Sequence, residues 1–265
     1  MQPIIVKVGG GAALNVDGVV QDLATLNMPA VIVLGANAVR DELANTLGTP
    51  RETITSVSGY SSVLSDANAI DAILMAYAGL RAKRFVEACQ RAGVNALSLC
   101  GLDGRLIQGE RNRGIRVREG GKTLIKRDFS GKPRTVNDAL LRMLLDNGYT
   151  PVITIPIADE QGHAINSEND DIVTVLAAAL NPQRIVQLIE APGFLQDSSD
   201  ETSVVPRIER GELEAREAQV EGRMKRKMLA LRKLFEAGAA TVIIADGRVQ
   251  HPLRDALDGH GTIIE

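Results

Sequence analysis

Short runs of β-branched and aliphatic residues alternate with longer helical patterns along the whole chain of 265 residues. The short runs are apolar throughout, which is typical of strands that helices cover on both faces. Several helical patterns end in a glycine that precedes the next run, namely at Gly93, Gly148 and Gly238. This alternation predicts an α/β fold, an open αβα sandwich around a mostly parallel central sheet. The predicted strands are residues 4–8, 30–34, 96–99, 151–157, 184–188 and 240–245, and the predicted helices are 19–26, 67–93, 135–147, 171–180 and 222–238.

One segment, residues 105–134, lacks a helical period, and its residues 115–125 predict a β-hairpin arm. The segment contains ten Lys or Arg against three acidic residues, a local charge of +7, so the rest of the chain carries −10 within the total of −3. Such a charged arm is either a solvated surface or a docking surface for an acidic partner. The candidate docking cations are Arg111, Arg113, Arg116, Arg118 and Lys126.

The overall composition narrows the class of protein further. A net charge of −3 argues against nucleic-acid binding by the whole molecule. The two cysteines have no metal-ligand spacing, and the longest uncharged apolar runs are about half of a membrane span. We therefore expect a cytoplasmic protein that does not enter a membrane. We predict two lobes, residues 1–150 with the hairpin arm 105–134, and residues 151–265.

The first predicted strand leads from Lys7 into three consecutive glycines, Gly9 to Gly11. Glycines allow backbone N–H groups to approach an anion, and a lysine supplies a full positive charge, so the turn is a candidate phosphate site. A tight turn without a ligand explains the glycines equally well. The sequence lacks the G-x-x-x-x-G-K-[ST] pattern of the P-loop.

Two further polar clusters precede predicted helices. Residues 164–171 collect asparagine, serine and acidic side chains, which either cap the helix or organise lysines and Mg²⁺. Residues 223–227 place four cations in the first turns of the last long helix, where they oppose the helix dipole. A bound polyanion would remove that cost, so this cluster indicates phosphate binding.

Five motifs occur in order over nearly the whole chain and together resemble those of the amino-acid kinase family. The closest branch contains acetylglutamate kinase and the kinases that act on glutamate or α-aminoadipate carried by a LysW-type amino-group carrier protein. The motifs are KVGG at 7–10, GLDG at 101–104, AINSxxD at 164–170, GRMKRK at 222–227 and ADGR at 245–248.

The resemblance implies an ATP-dependent kinase that uses Mg²⁺, phosphorylates the side-chain carboxylate of an amino-blocked acidic amino acid in arginine or lysine biosynthesis, and forms a homodimer. It assigns the acceptor to the N-terminal lobe and ATP to the C-terminal lobe. Lys7 and Lys227 would bracket the transferred phosphoryl group, and Asp170 would hold both lysines. The implied nucleotide-binding residues are Gly9, Gly10, Glu190, Gly193, Phe194 and Met224, and the implied acceptor-side residues are Gly35, Ala36, Asn37, Val63 and Asn166.

The acceptor side departs from the family pattern. Where the family has His-Gly-Gly after the second strand, this chain has Leu34, Gly35 and Ala36. The family arginine that pairs with the α-carboxylate of the acceptor aligns with Val63. A bidentate arginine–carboxylate pair is a strong specificity element, so its loss should weaken binding of a free dicarboxylic amino acid. Three hypotheses follow: a carrier-dependent kinase with an altered acceptor head, a kinase of another small acid, or a non-catalytic relative that binds nucleotide or carrier and regulates.

Overall fold

The computed structural model describes residues 2–26, 28–48, 53–55, 57, 61–119, 121–197, 199–219, 222–239 and 241–265, with the backbone alone described at 53–55, 61–63, 119, 219 and 222–227. The strands are β1 Ile4–Val8, β2 Ala30–Leu34, β3 Thr53–Thr55, β4 Ser61–Val63, β5 Ala96–Cys100, β6 Ile107–Arg111, β7 Ile115–Glu119, β8 Lys122–Lys126, β9 Gly131–Val136, β10 Thr150–Thr154, β11 Ile157–Ala158, β12 Ala164–Ile165, β13 Ile185–Ile189, β14 Arg207–Ile208, β15 Val242–Asp246 and β16 Thr262–Ile264. The helices are α1 Val16–Leu26, α2 Asn37–Thr46, α3 Ala67–Ile73, a π-helical stretch Leu74–Arg81 that continues α3, α4 Ala82–Arg91, α5 Asp138–Asp146, α6 Asn169–Leu180, α7 Leu213–Gln219, α8 Gly222–Glu236 and α9 Pro252–Leu257.

The central sheet confirms the predicted fold class. In the described part of the chain it has eight strands in the order β14-β16-β15-β13-β1-β2-β10-β5. The strands from β15 to β5 are all parallel, and β16 is antiparallel to β15. Its central strands β1 and β2 are buried almost throughout because helices cover both faces. The fold is therefore an αβα sandwich, as the unbroken apolar runs predict.

Parallel strands place their carboxyl ends at one edge, which is where the candidate site lies. Val8 at the end of β1 pairs with Leu34 of β2 and with Leu188 of β13. The turns that follow these strands are therefore neighbours in space. The same register brings the end of β15 beside that of β13, through Ile189 and Asp246.

A second sheet and the predicted hairpin arm lie outside the central sheet. The second sheet has the order β12-β11-β6-β9 in the described residues, and β7 pairs with β8 as a separate antiparallel hairpin. The predicted arm is confirmed as a hairpin over these two strands. The arm contacts the segment before β4 through a hydrogen bond of 2.8 Å from Val57 N to Arg116 O.

Several boundaries differ from the sequence expectations. The predicted strand 151–157 is divided, because Pro156 has no N–H for a ladder and β11 belongs to the second sheet. The predicted helix 135–147 begins later, since Thr135 belongs to β9 and Asn137 caps α5 by accepting a hydrogen bond from Leu140 N. Glycines with positive φ follow three helices as expected, at Gly93, Gly148 and Gly238.

The core consists of aliphatic side chains on both faces of the central sheet. One cluster packs α6, α8 and the π-helical stretch against one face, and the other packs α1, α4 and α9 against the opposite face. Among the described residues, none of the helices has the length and apolarity needed to cross a membrane. The division into lobes at residue 150 stays a prediction.

Candidate active site

The turns after β1 and β2 pack backbone against backbone. A Cβ on Gly10 would lie 2.6 Å from Asn37 N, and a Cβ on Gly35 would lie 2.6 Å from Gly10 N. Two hydrogen bonds join the same turns, from Gly35 N to Val8 O at 2.8 Å and from Ala38 N to Gly10 O at 2.9 Å. These two glycines are therefore required by close contact between the predicted phosphate turn and the predicted acceptor turn.

Lys7 and Asp170 form an ion pair at the carboxyl end of β1. The Lys7 Nζ donates to Asp170 Oδ1, and the two residues are 163 positions apart in the chain. Asp170 lies in the first turn of α6, where the helix dipole favours a carboxylate. The Lys7 side chain is 15% exposed and that of Asp170 is 37% exposed, so the pair faces solvent on one side. The structure thus brings these two predicted site residues together.

The other predicted lysine lies on α8. The backbone of α8 begins at Gly222, as predicted, and includes Met224 and Lys227. The side chains of these two residues lie outside the described part of the chain. Their predicted roles stay predictions.

Two buried polar atoms lie beside the ion pair. Ser167 Oγ and Asn169 Oδ1 are buried, and among the described residues neither has a hydrogen-bond partner. They flank Glu168 at the start of α6, where Asp170 meets Lys7. Because a buried polar atom is costly when unpaired, both atoms are available to a ligand or to water.

The residues after β2 combine a buried apolar part with an exposed polar part. Leu34 and Ala36 are at most 1% exposed and belong to the apolar core. Asn37 is exposed at the start of α2, and its Oδ1 accepts a hydrogen bond of 2.6 Å from the Tyr77 hydroxyl. Leu34 and Ala36, which depart from the family pattern, therefore contribute to the apolar core, whereas Asn37 has a polar side chain at the surface.

Arg40 lies one turn further along α2 and acts on the same tyrosine. Burial raises the pKa of the Tyr77 phenol, the charge of Arg40 opposes this shift, and Glu168 adds to it. The Arg40 side chain is 14% exposed, and its guanidinium is held by Asp41 Oδ1 through Nε at 3.0 Å and Nη2 at 2.9 Å. The structure thus places an oriented cation near Asn37, which sequence reasoning missed because Arg40 belongs to no motif.

Asn166 lies where the second sheet meets the segment before α3. Its backbone N–H donates to Phe129 O at 2.7 Å, and its side-chain Nδ2 donates to Ser65 Oγ at 3.0 Å. Val63, two residues before Ser65, belongs to β4, and its side chain lies outside the described residues. The backbone therefore brings the segment of Val63 towards Asn166, and the acceptor-side role of both residues stays a prediction.

Three of the predicted nucleotide-binding residues, Glu190, Gly193 and Phe194, lie after β13, whereas Gly9 and Gly10 follow β1 and Met224 lies in α8. Glu190 is beside the glycine turn, because its Oε1 accepts from Ala13 N at 2.7 Å and its carboxylate fills the position of a Cβ on Gly11. Gly193 approaches Thr262 closely, and Phe194 is 5% exposed within the apolar core. The Phe194 backbone is also paired within the protein, because its N–H donates to Thr262 Oγ1 and its carbonyl oxygen accepts from Val205 N, both at 2.8 Å. The predicted nucleotide contact of Phe194 stays a prediction.

The ADGR motif forms a bend after β15 in which the side chain of Arg248 makes an ion-pair network. Arg248 donates to both carboxylate oxygens of Asp246 and of Glu201, at 2.7–3.0 Å. Although burial of the Asp246 carboxylate opposes it, hydrogen bonding from Arg248 holds its pKa below the usual range. The network ties the loop that contains Glu201 to the end of β15.

The geometry defines the class of protein. A parallel α/β sheet carries a lysine–aspartate pair beside two interlocked glycine turns at its carboxyl edge, which is the arrangement of an enzyme that handles phosphate groups. Residues 2–246 match the amino acid kinase family, and the chain belongs to that family. It is a phosphotransferase.

Named relatives agree with this assignment, and a solved structure shares the fold. The chain is 38% identical over 267 residues to the LysW-aminoadipate kinase of Thermus thermophilus, with 98% of this chain and 99% of that protein covered. It is 29% identical over 262 residues to the acetylglutamate kinase of Methanopyrus kandleri, with 98% and 99% covered. The N-acetylglutamate synthase of Neisseria gonorrhoeae shares the fold, with a TM-score of 0.80 at 18% identity over 99% of this chain, which spans 59% of that chain.

Proposed function

We propose that the chain is an ATP-dependent kinase that phosphorylates the side-chain carboxylate of glutamate or α-aminoadipate whose amino group is blocked by an acidic carrier protein. The observation that carries this proposal is the connection between the basic arm and Asn166 at the arm's base. A carrier bound on the arm would hold its attached amino acid beside the predicted acceptor residue. The name of the Thermus thermophilus relative supports the same substrate class.

The arm has the charge and geometry of a docking surface. Arg116 pairs across the hairpin with Ile125, and Arg118 pairs with Thr123, so these side chains share one face. Arg116 and Arg118 are exposed, and Ile125 is 62% exposed, whereas Val117 on the opposite face is buried. Two cations around an exposed apolar side chain suit an acidic protein partner.

The other predicted arm cations differ in their surroundings. Arg113 is exposed, and Lys126 is half-buried. Arg111 donates from Nε to Asp128 O at 2.7 Å, and its guanidinium lies 4.0 Å from the centre of the Phe129 ring. We therefore assign Arg111 to the base of the arm, and we assign carrier docking to Arg116, Arg118 and Arg113.

The proposed reaction is an in-line transfer in which the protein supplies position and charge. A carboxylate oxygen of the acceptor attacks the γ-phosphorus of ATP, the bond to the β–γ bridging oxygen breaks, and an acyl phosphate and ADP form without proton transfer. Lys7, held by Asp170, would neutralise charge on the transferring group, and the family motif assigns a second lysine, Lys227, that would bracket the same group.

Mg²⁺ would accompany the nucleotide. Among the described residues there is no group of three or more His, Cys, Asp or Glu side chains that could hold a metal ion. The ion would therefore be held chiefly by phosphate oxygens and water, as Mg²⁺ usually is in kinases.

Arg40 supplies the acceptor-side charge in this proposal. The residue aligned with the family arginine is Val63, whereas Arg40 is an oriented and largely buried cation close to Asn37 and Tyr77. We therefore assign binding of the α-carboxylate of the acceptor to Arg40.

A homodimer is also part of the proposal. Strand β5 is the edge of the central sheet, and its Leu97 is 37% exposed. Met75 and Leu80 of the π-helical stretch are 43% and 49% exposed, and Arg81 Nε is buried with no partner among the described residues. A second copy that covers this surface would bury the three apolar side chains. Light scattering should give twice the chain mass, and Leu80→Asp should give the monomer mass.

The test of function is ADP release with three acceptors: an acidic carrier whose terminal glutamate or aminoadipate is presented, N-acetylglutamate, and free glutamate. We expect turnover with the carrier at a KM at least about tenfold below that of the small acceptors, and a KM that rises with salt because exposed charges are screened. Turnover with N-acetylglutamate alone would contradict carrier dependence. Nucleotide binding without turnover on any acceptor would support a regulatory relative instead.

Charge reversal separates docking from chemistry. The variant R116E/R118E should raise the KM for the carrier and leave kcat with N-acetylglutamate unchanged. The control with the same change in net charge is R84E/R254E, whose side chains lie in α4 and α9 and are 71% and 48% exposed. An equal effect of both variants on the carrier KM would show that net charge, and not the arm, binds the carrier.

A further inference from the structure

A buried carboxylate lies at the base of the basic arm. Asp128 is 2% exposed, although the arm around it is strongly cationic and solvent-facing. A carboxylate that is removed from water is stable only when its oxygens accept hydrogen bonds or are paired with charge. Asp128 satisfies this requirement with hydrogen bonds from two different parts of the chain.

The two oxygens of Asp128 hold different segments. Oδ2 accepts from Ser65 N at 3.2 Å, which fixes the segment that leads into α3. Oδ1 accepts from Ser130 N at 3.2 Å and from Ser130 Oγ at 2.6 Å, which fixes the entry to β9. The carboxylate therefore joins residues 63 positions apart in the sequence.

Ser65 connects the Asp128 carboxylate to Asn166 by a hydrogen bond. Ser65 is 1% exposed, and its Oγ accepts from Asn166 Nδ2 at 3.0 Å. Two backbone hydrogen bonds also link these residues: Phe129 N donates to Ser65 O, and Asn166 N donates to Phe129 O, both at 2.7 Å. One N–H of the amide is directed at Ser65, and the rest of the Asn166 side chain forms no hydrogen bond within the described residues. Its Oδ1 and its second N–H can therefore bind a ligand.

We propose that Asp128 is a positioning residue for the acceptor: its carboxylate sets Ser65, and Ser65 sets the side-chain amide of Asn166. This inference rests on the proposed function, in which Asn166 contacts the acceptor. Arg111 is bonded to the main-chain oxygen of Asp128, so the base of the arm and the acceptor amide form one hydrogen-bonded unit. Neither Asp128 nor Ser65 touches the transferred phosphoryl group in this scheme.

The test is a comparison of kinetic constants in Asp128→Asn. Asparagine keeps the shape of the side chain, but its one oxygen can replace only one of the two acceptor oxygens of Asp128, so either Ser65 N or Ser130 N loses its hydrogen bond. We expect the KM for the acceptor to rise about 10- to 100-fold, which is the usual effect of losing a hydrogen bond to a buried charge. The KM for ATP should stay within about twofold, because the nucleotide does not use this unit.

Ser65→Ala gives the second variant, which removes the hydroxyl contact to Asn166 and leaves the backbone N–H of residue 65 in place. It should raise the KM for the acceptor with little change in Tm, so it tests the inference even if Asp128→Asn fails to fold. Asn166→Ala completes a double-mutant cycle with Asp128→Asn. If Asp128 acts through Asn166, adding D128N to N166A should raise the KM no further, whereas additive effects would overturn the inference.

A matched buried carboxylate supplies the control for stability. Asp22 is also 2% exposed and accepts hydrogen bonds from Leu253 N at 2.9 Å and Arg254 N at 3.0 Å. Asp22→Asn should lower Tm and leave the KM for the acceptor unchanged. Equal increases in that KM for D22N and D128N would overturn the positioning role. Absence of turnover in the wild type would overturn the proposed function as well, whereas an active wild type with an unchanged KM in D128N would overturn this inference alone.

Discussion

Replacing Asp170 by asparagine tests the central ion pair directly. In the structure Asp170 Oδ1 accepts the hydrogen bond from Lys7 Nζ, and the lysine side chain is only 15% exposed. An asparagine side chain would keep the shape and an oxygen acceptor, but it would no longer attract the ammonium group by charge. We expect Lys7 to lose its fixed position beside the transferring phosphoryl group, with kcat falling more than the KM for ATP rises.

The expected fall in kcat can be worked out from the charges and the solvent exposure of the pair. Two unit charges about 4 Å apart at an effective dielectric constant of about 20 attract each other by about 4 kcal/mol. The Asp170 side chain is 37% exposed, so solvent screening reduces this to roughly 2 kcal/mol. If this energy orders Lys7 in the transition state, kcat falls about 30-fold. Lys7→Ala removes the cation itself and should lower kcat by about 100- to 1000-fold.

The assay is coupled ADP release at saturating ATP and acceptor, with Tm measured on the same samples. Asp171→Asn is the matched control, because Asp171 lies in the same first turn of α6 and loses the same interaction with the helix dipole. We expect similar changes in Tm for both variants, and a fall in kcat for Asp170→Asn alone. A kcat for Asp170→Asn within about threefold of wild type, at the Tm of the control, would refute the reasoning.

Four further predictions concern Arg40, the phosphate turn and the thiols. Arg40→Val should raise the KM for the acceptor by at least about tenfold. If an arginine at either position binds the α-carboxylate, adding Val63→Arg should return this KM to the wild-type value. A KM that stays high in the double variant would mean that Arg40 has another role. Gly10→Ala should abolish turnover because its Cβ would lie 2.6 Å from a backbone nitrogen, and calorimetry would show the accompanying fall in Tm. Burial raises the pKa of Cys89 to about 12 and that of Cys100 above its usual value, so both thiols should resist a disulfide reagent at pH 8 until denaturant is added. Because the folded state keeps the Cys89 proton, this thiol should lower stability as the pH rises from about 9 towards 12, which unfolding in urea at several pH values measures.

Local patterns were sufficient for the central strands. The expected bounds 4–8 and 30–34 are those of β1 and β2, because a strand buried on both faces needs a continuous apolar run. Helix α2 escaped prediction because its sequence has little apolar character, and Ala44 is its one fully buried side chain among the described residues. Strand β16 is three residues long and antiparallel, so no periodicity indicates it.

The residues of the candidate site also differ in whether the sequence indicated them. The motifs identified Lys7, Asp170 and Asn166, because the residue types of phosphate chemistry stand next to strand ends and helix starts. No local pattern indicated Asp128, which is an acid inside a basic arm, or Ser65, which belongs to no motif. Both are recognisable only once their hydrogen bonds to each other and to Asn166 are seen.

The sequence by itself therefore determined the α/β class, the basic arm and the residue types of the site, since each depends on neighbours along the chain. The tertiary structure alone decided which of these residues meet. Lys7 and Asp170 are 163 positions apart, and Ser65 and Asn166 are 101 apart. Their contacts depend on the register of parallel strands and on which turns share the carboxyl edge of the sheet. Periodicity and composition carry no information on either, because both are set by the packing of the whole sheet.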